Sequence, residues 1–91
     1  MEQFVLMLKE ALNNPANRAD IISAFQKDIW NTKAGGEPNE AFTILKELAY
    51  DLDFYQPDPA LRKEDASYYG EERLVEEIAD ALKRIEAVGQ R

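Results

Sequence analysis

Residues 70–88 read GEERLVEEIADALKRIEAV, and this stretch decides the fold class. Leu74, Ile78, Ala81, Leu82, Ile85 and Val88 recur at three- and four-residue spacing, so they share one face of an amphipathic helix. Glu71 and Glu72 stand in its first turn, and Lys83 and Arg84 near its end, as the helix dipole favours. Gly89 supplies a stop. Glu72, Glu76 and Asp80 follow at i, i+4 and i+8 on an exposed face. Like charges at this spacing each cost about 0.2–0.5 kcal/mol. Arg73 is in register to pair with Glu77, and Arg84 with Asp80, but neither relieves Glu72 against Glu76.

Working back toward the N-terminus, residues 54–69 break the helical period. Pro57-Asp58-Pro59 cannot continue a helix, although a short helical turn fits around Ala60–Lys63. A connection of this length between helices is functional or disordered more often than not. Its aromatic residues argue for order, with Phe54, Tyr55 and Leu61 packing over the end of a helical bundle. Before it, Phe42, Leu45, Leu48, Ala49 and Leu52 form a helical stripe that Ile44 and Tyr50 widen, and this helix runs to about Asp53. Pro38, with Glu37 just ahead of it, suits its first turn. Lys33-Ala34-Gly35-Gly36 reads as the C-cap and turn that precede it. No phosphate-loop pattern surrounds these glycines.

A second helix spans roughly residue 17 or 18 to Thr32, with Asn17 as N-cap and Asp20 in the first turn. Its stripe is Ile21, Ile22, Phe25 and Ile29, with Ala24 beside it. Trp30 lies off the centre of that stripe, at the rim of the core or on a contact surface. Residues 2–13 place Phe4, Val5, Leu8, Ala11 and Leu12 on one face of a first helix, which Asn13-Asn14-Pro15 ends. The expected fold is all-α: a small antiparallel four-helix bundle, a single domain over residues 1–91, with a long ordered loop between helices three and four.

Composition narrows the function. The 91 residues include no cysteine and no histidine, which removes disulfides, thiol nucleophiles, the commonest general base and the commonest nitrogen metal ligand. Ser23 and Ser67 are the only serines, and no histidine can activate either. Asp51-Leu52-Asp53-Phe54-Tyr55 begins like a calcium loop, but Gln56 stands where the glycine belongs. No catalysis, metal or cofactor is expected. The N-terminus lacks the features of a signal peptide, and no apolar run approaches membrane-span length, so a cytoplasmic location is expected.

The formal net charge is −7, and all of it resides in residues 51–80, which hold ten acids against Arg62, Lys63 and Arg73. The remainder of the chain is neutral. Such a field repels nucleic-acid phosphates and anionic membranes and attracts a basic protein surface. Phe54, Tyr55, Tyr68 and Tyr69 lie within the same segment. Tyrosine among charges is common in binding surfaces, although Tyr55 and Tyr68 also suit the cap of a bundle. Acidity serves solubility too, but solubility does not require its confinement to one segment.

Asp53-Phe54-Tyr55-Gln56-Pro57-Asp58, then Arg62, Tyr68-Tyr69, and Leu74-Val75-Glu76-Glu77-Ile78 with Leu82, resembles the C-terminal half of colicin-D-type immunity proteins. The similarity covers residues 42–86. The resemblance implies a small helical protein that binds the nuclease domain of a cognate toxin and covers its basic, RNA-cleaving active site. On that reading, Asp58, Glu64, Asp65, Glu71, Glu72, Glu76 and Asp80 meet the partner, with Tyr68 and Tyr69 as aromatic anchors. The alternative is a small helical scaffold or regulatory protein that self-associates through an apolar patch of Phe4, Ile21 and Trp30.

Overall fold

The computed structural model describes residues 2–32 and 40–89. The described residues form five α-helices and no strand. They are α1 (Glu2–Asn13), α2 (Arg18–Asn31), α3 (Glu40–Asp51), the single-turn α4 (Pro59–Arg62) and α5 (Glu71–Gly89). Two 3₁₀ turns, Pro15–Asn17 and Leu52–Phe54, follow α1 and α3. The fold is all-α, as the apolar spacing predicts. The expected turn at Gly35-Gly36 and the helix start at Glu37-Pro38 lie outside the described residues.

α1 packs on α2, α2 on α3, α3 on α5, and α5 on α1. Their inward faces share one hydrophobic core. Phe4, Leu8 and Ala11 come from α1, and Ile22, Phe25 and Ile29 from α2. Ile44, Leu45, Leu48 and Ala49 come from α3, and Leu74, Ile78 and Ala81 from α5. The Phe4 and Phe25 rings meet at 6.1 Å between centroids, locking α1 to α2. Burying each large apolar side chain contributes about 1.5–3 kcal/mol, and this packing outweighs any helix propensity.

Several sequence expectations change at the edges of the stripes. Tyr50 does not widen the core face of α3; it is 59% exposed. Ala24 is exposed as well. Trp30 is 46% exposed and packs against Tyr50 at a tilt, with 6.2 Å between ring centroids. Phe4 is buried, so the expected surface patch of Phe4, Ile21 and Trp30 does not exist. Phe54 and Leu61 remain exposed rather than packing over the bundle end. Asn17 occupies the N-cap position of α2 but makes no side-chain capping bond.

The connection between α3 and α5 is ordered by its own polar groups. Asp58 caps α4, its Oδ1 accepting from the Ala60 amide at 2.9 Å, with Pro59 in the first turn. Asp65 Oδ1 accepts from the Ser67 amide at 2.8 Å, a second turn of the same chemistry. A parallel bridge between Tyr55 and Tyr69 ties the ends together. The Gln56 amide donates to the Tyr69 carbonyl oxygen at 2.9 Å, and the Tyr69 amide to that of Phe54 at 3.0 Å. The chain therefore leaves α3, makes a closed excursion, and returns beside its departure point to begin α5.

Candidate protein-docking surface

The surface is assembled around Arg18, whose guanidinium is buried where α1, α2 and α5 meet. Its Nε donates to the Ala11 carbonyl oxygen at 2.7 Å and its Nη2 to that of Leu12 at 3.1 Å. These carbonyls belong to the last turn of α1, which has no intrahelical donors left for them. Nη1 donates to Glu71 Oε2, and Tyr55 donates its hydroxyl hydrogen to Glu71 Oε1. One carboxylate in the first turn of α5 thus holds the end of α1, the start of α2 and the base of the loop.

The electrostatics follow from these contacts. The Glu71 carboxyl is held below the usual carboxylate range by the Tyr55 hydroxyl and then by Arg18. The Tyr55 phenol is pushed up to about 12, first by burial and then by its bond to Glu71. Tyr69 shows the same logic at the other end of the bridge. Its hydroxyl meets the Asp51 carbonyl oxygen at 2.9 Å and Asp51 Oδ2 at 3.0 Å. Burial and the Asp51 charge raise its pKa. The Arg73 guanidinium covers the Tyr69 ring 4.9 Å from its centroid, and Arg73 Nε donates to Glu77 Oε1 at 3.3 Å.

The expected docking residues separate into three groups. Asp58, Glu64 and Asp65 are exposed on the loop, with Tyr68 half-buried beside them. Glu72 and Glu76 line an open cleft of about 540 Å³ on α5, together with Arg62, Gly70, Glu71 and Arg73. Asp80 turns instead toward α3. It lines a groove of about 160 Å³ whose floor includes Ile44, Leu48 and Ala81 and whose rim carries Glu47, Asp51, Glu77 and Arg84. Arg84 faces Glu47 across this groove at 3.9 Å rather than pairing with Asp80. The expected Arg73–Glu77 pair is present.

Two assignments change. Tyr69 is only 7% exposed, so its ring serves the core and is not presented as an anchor. Glu71 is committed to Arg18 and Tyr55, which makes it a structural tie. Sequence reading also missed Arg18. The signal was its register, because Arg18, Ile22, Phe25 and Ile29 lie on one helix face. Among the described residues, no group of three or more Asp, Glu, His or Cys side chains is arranged to hold a metal ion. None of the described helices is long and apolar enough to cross a membrane.

No family model, curated protein or solved structure matches the chain.

Proposed function

We propose that this chain is an inhibitor of the immunity-protein type, a binding protein rather than an enzyme. It docks an acidic surface into the basic nuclease cleft of a bacterial toxin, where its carboxylates take the place of RNA phosphates. The scaffold in this reading is an antiparallel bundle of α1, α2, α3 and α5, and the site of action is the cytoplasm. The observation that carries the proposal is the display of charge. All seven net negative charges belong to residues 51–80, and only Glu71 and Glu77 among those ten acids are engaged in ion pairs within the described residues. Uncompensated carboxylates on an ordered loop and a rigid helix favour rapid, selective encounter with a basic surface. The likeness of residues 42–86 to colicin-D-type immunity proteins points to the same class of partner.

The test is affinity capture at low salt with the natural chain and with a Glu72→Lys, Glu76→Lys, Asp80→Lys variant. The proposal expects a basic nuclease domain, eluted by salt and lost in the variant. Equal capture by the variant would contradict it. The exposed Trp30–Tyr50 pair favours a second reading, a self-associating helical scaffold. A dimer in solution that dissociates on Trp30→Ala would support that reading instead.

A further inference from the structure

We infer that residues 56–68 swing away as one body when the Tyr55–Tyr69 bridge opens, and that the Arg18–Glu71–Tyr55 contact is the latch that holds the bridge closed. The segment has the properties of a separate cooperative unit. No side chain from 56 to 68 is buried, so the hydrophobic core does not hold it. Its internal hydrogen bonds are self-contained. The Arg62 amide donates to the Asp58 carbonyl oxygen, the Glu64 amide to that of Leu61, and the Tyr68 amide to that of Asp65, each at 3.1 Å. Opening at the bridge leaves all of these intact.

The attachments to the rest of the molecule are few: the Tyr55 ring packs against Tyr69 and the edge of the core, with 6.4 Å between ring centroids, and the others are polar. The backbone bridge supplies two hydrogen bonds. Tyr55 at its base reaches Glu71, which Arg18 fixes from behind. Arg62 lies over Gly70, where a Cβ would fall 1.6 Å from Nη1 and 2.8 Å from Cζ. The φ of Gly70 is not positive, so alanine fits the backbone there and only the Arg62 side chain must move. The latch determines how Asp58, Glu64 and Asp65 on the loop are spaced from Glu72 and Glu76 on α5. Arg18 and Tyr55 are therefore positioning residues for a surface that they do not themselves form.

Amide hydrogen exchange on the free protein tests this without any partner, so its outcome is independent of the docking proposal. The variants are Tyr55→Phe, which removes one hydroxyl, and Gly70→Ala, which displaces Arg62. In each, the Gln56 and Tyr69 amides should exchange faster together, and for Tyr55→Phe the increase should be about tenfold, the loss of one hydrogen bond to a charged group. The Arg62, Glu64 and Tyr68 amides and those of the α3 and α5 core should keep their rates. Unchanged exchange at Gln56 and Tyr69 would overturn the latch. Equal acceleration at core amides would make the contact a global stabiliser only. Acceleration at Arg62, Glu64 and Tyr68 would show that the segment unravels instead of swinging.

Discussion

Glu71 in the first turn of α5 closes an ion pair with the buried guanidinium of Arg18, 53 positions earlier in the chain. The pair joins opposite helix ends. Arg18 meets the electronegative C-terminus of α1, and Glu71 stands at the electropositive N-terminus of α5, so the pair suits the dipoles of α1 and α5, although Arg18 also opens α2, whose dipole disfavours a cation there. Removing the two partners has unequal consequences. Arg18→Ala strands two α1 carbonyls and opens a gap, and should cost about 3 kcal/mol. Glu71 is half-exposed, so water replaces part of what Glu71→Gln removes, and about 1 kcal/mol is expected. Urea denaturation of both variants measures the difference.

The same contact makes stability depend on pH at both extremes. The folded Glu71 carboxyl titrates below its unfolded value of 4.5. As pH falls the unfolded chain takes the proton first, so the contribution is full above about pH 4.5 and disappears as pH drops through the folded value. Tyr55 behaves oppositely, since its folded pKa of about 12 exceeds the ordinary 10.0. Its contribution is full below pH 10 and is lost as pH rises through 12. Glu71→Gln should flatten the acid limb of a stability–pH profile. Tyr55→Phe should make the alkaline limb shallower, leaving the part that the raised Tyr69 phenol contributes.

The adjacent tyrosines Tyr68 and Tyr69 should separate in mutagenesis. Tyr69→Phe loses the hydroxyl contact to Asp51 and should cost about 1 kcal/mol, while Tyr69→Ala empties a core position and should cost about 3–5 kcal/mol. Tyr68→Ala should cost about 1 kcal/mol or less while weakening partner binding. Thermal unfolding and binding assays on the three variants check this. A core-sized loss of stability for Tyr68→Ala would remove Tyr68 from the docking surface.

Helices were legible in this sequence because their signal is local. The apolar spacing in 2–13 and 70–88 predicts α1 and α5 closely, and Asn14-Pro15 marks the end of α1. What spacing could not supply is the neighbour across each stripe. Tyr50 lies one step around the helix from buried Ala49, and where the core stops between them depends on the helices packed against α3, which spacing does not show. Arg18 shares a face with Ile22 and Phe25, yet its burial depends on carbonyl groups from α1 and a carboxylate from α5. Which of Tyr68 and Tyr69 turns inward is set by the long-range bridge to Tyr55. The acidic segment was visible in composition, but its division between the loop, the α5 cleft and the α3–α5 groove required the fold.

The most direct test of the docking account is the salt dependence of association with a captured basic nuclease domain. Stopped-flow binding would be followed from low to high ionic strength for the natural chain and the Glu72→Lys, Glu76→Lys, Asp80→Lys variant. The account predicts that the association rate of the natural chain falls steeply with salt, and that the variant associates slowly with little salt dependence. A natural chain whose association rate is flat across that range, or a variant that matches it, would place the interface elsewhere.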